Sequence, residues 1–331
     1  MYFLRALPRA LPRTPARCLS TSVPRFTTSS PVTPEQCAAA ANTLLTRQLP
    51  HIPDWLSPQQ SHLLSLTLSP YLKTDIPRSS PRTSGPIPAG HHLIYFPPQL
   101  PESLLLPDGS DLEQSPGEPW TRRMWAGGRL DFDVSNPLLI GDEAVLKERI
   151  EDVKIRGDKL FCSFERAMFR RGAWVQGTQG QESEKPSLVE TRTLVFFPTG
   201  PHQQAARQLP VKETAEFGET FETTEHLLFR FSALTWNAHK IHLDKEFSRD
   251  KEGYRGLLCH GPLAVAMLMG LLERELAGAK RVKSFEYRCL APLFVGETYK
   301  IAGKWKGDDK VELWCETPEG GFAVRGMAEV V

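Results

Sequence analysis

Between residues 261 and 277 the chain carries a helix-length run with no polar face. Pro262 stands at the favoured first position of a helix. Leu263-Ala264-Val265-Ala266-Met267-Leu268-Met269-Gly270-Leu271-Leu272 is apolar all round, and charge enters only at Glu273-Arg274-Glu275. Such a helix cannot lie on a surface; the rest of the chain has to wrap it. The flanking sequence offers strands for this. In the second half, strand-like patterns cover Phe229 to Thr235, Val282 to Leu290, Thr298 to Trp305, Val311 to Cys315 and Phe322 to Val330. In the first half they cover His91 to Phe96, Gly128 to Val134, Ala144 to Ile150, Lys159 to Phe164 and Leu188 to Phe197. An α+β architecture follows, with antiparallel sheet curled round a buried helix.

The two halves share a unit. Asn136-Pro137-Leu138-Leu139-Ile140-Gly141-Asp142-Glu143 matches Ala291-Pro292-Leu293-Phe294-Val295-Gly296-Glu297-Thr298, and each stretch lies between two alternating segments. A sheet wrapped round one helix, present twice, predicts a double hotdog: two antiparallel sheets, each with a central helix. Ahead of it, Pro34 to Gln48 and Pro58 to Leu68 have helical apolar spacing, and residues 76–86 are rich in Pro and Ser. The expected division is a leader over 1–30, a helical extension and linker over 31–84, a degenerate first hotdog over 85–208 and a catalytic second hotdog over 209–331. Residues 177–186, polar and rich in Gly and Glu, read as a hairpin loop.

With 331 residues and a net charge of +1, the chain has neither the basic field nor the basic-aromatic stripe of a nucleic-acid binder. No apolar run reaches the roughly 18 residues of a membrane span. The six cysteines include no Cys-x-x-Cys pair, which points away from zinc ribbons and redox motifs and fits a reducing compartment. The first thirty residues carry Arg5, Arg9, Arg13, Arg17 and Arg25 among Ser and Thr, and no acidic residue precedes Glu35. That composition reads as a mitochondrial transit peptide, cleaved near Arg17-Cys18-Leu19-Ser20, and predicts a matrix protein.

Chemistry concentrates in Trp236-Asn237-Ala238-His239-Lys240-Ile241-His242-Leu243-Asp244 and in Cys259-His260-Gly261-Pro262. Two imidazoles three residues apart offer a base and an acid that titrate near operating pH. Asp244 is placed to anchor the turn or orient an imidazole. The amide of Gly261, at a helix start, offers a donor to a developing oxyanion. His242 is the leading catalytic residue, with Asn237, His239 and Gly261 beside it. His239, His242 and His260 could converge on zinc; proton chemistry next to a carbonyl uses the same residues without an ion, so no metal is expected.

These two stretches, with Arg123-Met124-Trp125-Ala126-Gly127-Gly128-Arg129-Leu130, resemble the MaoC-like hydratases and dehydratases of acyl thioesters. The resemblance is strongest to the double-hotdog branch that includes fungal mitochondrial hydroxyacyl-thioester dehydratases and bacterial mesaconyl-CoA hydratases, and it covers residues 85–331. It implies reversible dehydration of (3R)-hydroxyacyl thioesters to trans-2-enoyl thioesters in mitochondrial fatty acid synthesis, with no cofactor. The substrate would be an acyl-CoA or an acyl-carrier-protein thioester, and two double hotdogs could pair as a homodimer. His260, Trp236, Trp125, Gly127 and Gly128 are the implied substrate-binding residues. Arg122, Arg123, Lys280, Arg281 and Lys283 are candidates for the carrier's phosphates. The common pattern of the family is Asp-x-Asn-Pro-x-His. Here Asn237 stands in place of the Asp and His239 in place of the Asn; an amide cannot accept a proton as a base. Asn237 would then hold the water or the thioester, leaving proton transfer to His242, shared with His239. Three alternatives stay open. One is a mesaconyl-CoA or itaconyl-CoA hydratase, for which a basic residue deep in the pocket would speak, whereas a long apolar tunnel would favour fatty chains. The others are a thioesterase and a non-catalytic acyl-thioester binding module.

Overall fold

A computed structural model describes residues 31–79, 81, 83–173, 182–198 and 208–331. The proposed transit segment with its cleavage point, and residues 177–181 of the expected hairpin loop, lie outside the described residues.

Helix α1 (Pro34–Leu45) starts at a capping box in which Thr33 and Gln36 exchange side-chain and backbone hydrogen bonds. A short strand, β1 (Ile52–Trp55), leads into α2 (Pro58–Leu72), capped by Ser57 and opened by Pro58. Pro70, inside α2, cannot donate to the carbonyl of Leu66; the hydroxyl of Ser69 takes that acceptor at 3.1 Å. Strands β2 (Arg122–Phe132), β3 (Asp142–Arg156), β4 (Lys159–Ala173) and β5 (Leu188–Phe197) complete the first half. The second half runs β6 (Phe217–Glu222), α3 (Glu225–Thr235), α4 (Gly261–Leu276), β7 (Val282–Cys289), β8 (Thr298–Trp305), β9 (Lys310–Glu316) and β10 (Phe322–Val330).

All ten strands join one antiparallel sheet in the order β1-β3-β4-β5-β2-β7-β10-β9-β8-β6. Numbering the five strands of each half from one to five, both halves read 1-3-4-5-2 and meet through their second strands. At that seam Leu130 of β2 faces Phe285 of β7, a separation of 155 positions, which is also the offset of the repeated Pro-Leu-x-x-Gly stretch. The chain is a double hotdog. One apolar core spans it, joining Leu64, Leu68 and Leu72 of α2 to the buried residues of α4 and to strands of both halves. Helix α4 is wrapped as its composition requires: Leu263 to Met269, Leu271, Leu272 and Leu276 are all buried.

Three expectations are corrected. The first hotdog does not begin at residue 85: Ile52 to Trp55 pair with Leu146 to Glu143, so β1 and α2 belong to it and only α1 is an extension. Pro50, Pro53 and Pro58 disguised this strand, which tolerates Pro53 because it lies at the sheet edge. Residues 229–235 are helix, not strand. Thr224 caps α3 by accepting from the amide of Leu227, and the buried set Leu227, Leu228, Phe231 and Ser232 follows helical spacing. The stretch from His91 to Phe96 forms a 3-10 turn, His91–Ile94, that touches α2, α3 and α4 and ends at Phe96 with φ of 57° before two prolines.

Candidate active site

Helix α3 ends at Trp236, whose backbone turns through φ of 55° and returns its amide to the carbonyl of Ser232. The reversal launches a tight loop. Asn237 Oδ1 accepts from the amide of His239 at 2.9 Å, and a 3-10 turn follows over Lys240–His242. His239 and His242 thereby come to one side, with ring centroids 5.6 Å apart. His242 Nδ1 lies 2.7 Å from the carbonyl oxygen of Leu258. A carbonyl only accepts, so Nδ1 carries the hydrogen and Nε2 keeps its lone pair. The ring stacks face to face on His260 at 3.7 Å. His260 is tied through Nε2 to Ser232 Oγ at 2.9 Å, while its buried Nδ1 has no partner among the described residues. Burial, reinforced by His239, pushes His242 down to about 3; burial, with His242 and His239 nearby, holds His260 well below the ordinary imidazole range. His239 Nε2 lies 3.2 Å from Asp108 Oδ2, a residue of the connector between the 3-10 turn and β2.

His260 is also the N-cap of α4, which makes Gly261 the first helical residue; its amide has no acceptor among the described residues. A Cβ at Gly261 would stand 2.8 Å from Cβ of Trp125, so glycine is required for this close approach. Trp125 in turn donates Nε1–H to Tyr287 Oη at 2.9 Å and lies under the guanidinium of Arg192 at 4.6 Å. All of this opens on one cavity of about 720 Å³ between the two repeats. The second repeat contributes Asn237, His239, His242, His260 and Gly261; the first contributes Trp125, Arg192, Leu194 and residues of the connector.

A family model for hydroxyacyl-thioester dehydratase type 2 matches residues 90–295. A mesaconyl-C(4)-CoA hydratase of Chloroflexus aurantiacus is 31% identical over 262 residues, 77% of this chain and 87% of the relative. The chain belongs to the hydroxyacyl-thioester dehydratase type 2 family. A mitochondrial member of the family from Schizosaccharomyces pombe is 26% identical over 283 residues, covering 80% of this chain and 91% of the relative. In fold, the chain is similar to a MaoC-like dehydratase of Phytophthora capsici, with a TM-score of 0.60 at 15% identity over 88% of this chain and 98% of the other. It is also similar to HtdX of Mycobacterium tuberculosis, with a TM-score of 0.56 at 12% identity over 85% and 100% of the two chains. Hydratase and dehydratase chemistry is thus the hydro-lyase activity against which the site is read.

Most residues expected from the sequence fall at one cavity. His242, His239, Asn237, Gly261, His260 and Trp125 line the cavity, and exposed Trp236 stands at its wall. Gly127 and Gly128 do not. They lie inside the sheet, where a Cβ would meet the Tyr287 carbonyl oxygen at 2.5 Å or the Thr191 carbonyl oxygen at 2.3 Å. They let β2 pack between β5 and β7. The basic residues proposed for phosphates are mostly engaged elsewhere: Arg122 pairs with Glu252, Lys280 with the Asp308 carbonyl, Arg281 with the Val134 carbonyl and Lys283 with Glu329. Asp244 caps the next turn through the amide of Phe247. Two features had no signal in the pattern of the sequence. One is Asp108, hidden in a Pro-rich connection. The other is a ladder of charges across the cavity wall, in which Arg166 bonds Glu148 at 2.5 Å and Glu190 at 2.9 Å, and Glu190 also holds Arg192 at 2.5 Å.

Proposed function

We propose that the protein interconverts (3R)-hydroxyacyl and trans-2-enoyl thioesters, carried on coenzyme A or on an acyl-carrier protein, as the dehydratase step of fatty acid synthesis in the mitochondrial matrix. One observation carries this reading: two imidazoles of fixed hydrogen-bonding geometry stand beside an uncommitted helix-start amide, facing one cavity. Hydration needs a base for the water that attacks C3, an acid for C2, and a donor to the thioester oxygen as it gains charge. His242 Nε2 and the ring of His239 share the proton transfers as acid and base, and Gly261 N–H is the oxyanion donor, with the α4 dipole behind it. Asn237 keeps the loop in shape through His239 N. The main cavity is the space for the acyl chain; an adjoining apolar void of about 20 Å³, lined by Leu227, Leu263, Met267 and Ile301, shares Cys259, Ala264 and Leu293 with it.

The location rests on the Arg-rich, acid-free first thirty residues and on the mitochondrial relative. No helix among the described residues is long and apolar enough to cross a membrane. A homodimer of double hotdogs belongs to the same proposal, and light scattering at twice the chain mass checks it.

A second reading, hydration of a dicarboxylyl thioester such as mesaconyl-CoA or itaconyl-CoA, has Arg123, Arg166 and Arg192 at the cavity wall in its favour. Arg166 and Arg192, however, are neutralised by Glu148 and Glu190, so a substrate carboxylate would have to displace an existing partner. Turnover of crotonyl-CoA, a medium-chain 2-enoyl-CoA, mesaconyl-CoA and itaconyl-CoA, with His242→Ala alongside, decides between them. Linear enoyl substrates are expected to lead, with kcat of the variant down by about 10²–10⁴-fold. Preference for the dicarboxylates selects the second reading, and a folded, silent wild type defeats both.

A further inference from the structure

The connector over residues 97–121 leaves the first repeat and seats its middle on the catalytic loop of the second. Gly109 turns at φ of 81°, and a Cβ there would lie 2.1 Å from the carbonyl oxygen of Ala238. Lys240 closes the contact from the other side, donating its amide to the Asp108 carbonyl at 2.8 Å and Nζ to the Pro107 carbonyl at 2.7 Å. Between these anchors the carboxylate of Asp108 is fully engaged. Oδ1 accepts from the amide of Ser110 at 2.9 Å and from its hydroxyl at 2.5 Å, and Oδ2 faces His239 Nε2. Burial alone would raise this carboxyl; the hydrogen bond and charge of His239, with the two bonds from Ser110, outweigh it and hold Asp108 below the usual carboxylate range.

We propose that Asp108 is the positioning carboxylate of the active site: delivered across the repeat boundary, it fixes the ring of His239 through Nε2, filling the role that the amide of Asn237 leaves open. This rests on the hydro-lyase reading above. The two imidazoles then divide the work. Nε2–H of His239 is committed to Asp108, and Nδ1, which has no partner among the described residues, is left to exchange a proton. His242 is the neutral partner, with Nδ1–H committed to Leu258 and Nε2 free. In dehydration the C2 proton passes to His242 Nε2, and the electron pair of that C–H bond becomes the C2=C3 double bond. The C3–O bond breaks with its pair on oxygen, which takes the Nδ1 proton of His239 and leaves as water. Return of the proton from His242 to His239 restores the starting state.

The titratable groups facing His239 are Asp108 on the connector, His242 on its own loop and His260 at the start of α4, with Lys240 next to it in the chain and Arg123 of β2 near Asp108. The guanidinium of Arg123 is held by Ser110 Oγ at 2.5 Å and the Asp111 carbonyl at 2.8 Å. Asp108 is the one with a carboxylate oxygen against the His239 ring.

The experiment compares the full chain with Asp108→Asn, Asp108→Glu, His239→Gln and the double variant Asp108→Asn/His239→Gln, following hydration of a linear 2-enoyl-CoA across about pH 5 to 9. Asp108→Asn is expected to lose about 10²-fold in kcat with KM within about twofold. Asp108→Glu recovers part of the rate, and the double variant is no slower than His239→Gln, since the two residues act as one unit. Ring nitrogen NMR of His239, which needs no turnover, should show a protonated Nε2 in the wild type and a change of state in Asp108→Asn. A folded Asp108→Asn with wild-type kcat overturns the proposal, as does an additive double variant. If Asp108→Asn does not fold, the kcat and KM of Asp108→Glu decide. A wild type inactive on every thioester defeats the functional reading instead; unchanged His239 resonances in Asp108→Asn would then still overturn the role of Asp108.

Discussion

Gly261 combines a packing contact with the position proposed for the oxyanion donor. Its amide heads α4 towards the cavity, and its missing side chain lets Trp125 of the other repeat lie within van der Waals reach. Gly261→Ala therefore has to push Trp125 off its Tyr287 hydrogen bond or move the helix start. The expected result is a stability loss of about 1–3 kcal/mol, as for other overpacked sites, read from the urea midpoint. A fall of at least about tenfold in kcat should accompany it, because donors to an oxyanion tolerate little displacement. At this scale the sequence exposed the imidazoles and the helix-start glycine, since His239, His242 and Gly261 sit in two short local stretches. It did not expose Asp108, whose link to His239 is made only when a distant connector folds back, nor Ser232, which reads as one more residue of an expected strand until its hydroxyl meets His260.

Elements whose sequence pattern and surroundings agree, such as β5, β8 and β10, have the limits their alternation predicts: Leu188–Phe197, Thr298–Trp305 and Phe322–Val330. Where local alternation competes with a cap, the cap prevails, and Thr224 turns residues 229–235 into the end of α3. Strand β2 is the element whose glycines were misassigned. Their neighbours are backbone oxygens of β5 and β7, so Gly128→Ala should destabilise the sheet seam by about 1–3 kcal/mol. KM for the enoyl thioester should stay near wild type in whatever protein remains folded. Thermal unfolding beside steady-state kinetics separates this from a substrate contact, for which KM would rise with no loss of stability.

The whole molecule buries histidines to an unusual degree. His91, His92, His242 and His260 are all at most 8% exposed, and burial depresses each: His91 and His242 to about 3, His92 to about 4 and His260 well below its ordinary value. A histidine whose folded value is lowered contributes stability that is complete above the unfolded value near 6.5 and is lost as pH falls below it towards the folded value. Each such group adds up to about 1.4 kcal/mol per pH unit to that loss. The urea midpoint is therefore expected to fall steeply between pH 6.5 and about 4, with uptake of several protons on unfolding. A flat midpoint across this window would contradict the buried neutral state of the four rings. The charge ladder of Arg166, Arg192, Glu148 and Glu190 belongs to the same scale, because it crosses β3, β4 and β5 and forms part of the wall between the repeats.

Taken by itself, the sequence determined the wrapped helix, the duplication and the local stretches whose side chains line the proposed site. Each is written in the periodicity of one segment or in the comparison of two, and burying an apolar helix leaves few architectures open. Tertiary structure alone decided that the first repeat begins at β1, that Gly127 and Gly128 serve the sheet, that α2 shares a core with α4, and that Asp108 stands behind His239. Those relations join residues far apart in the chain. Their free energy comes from close packing and from hydrogen bonds made in a buried site, which exist only after the two repeats have met along β2 and β7.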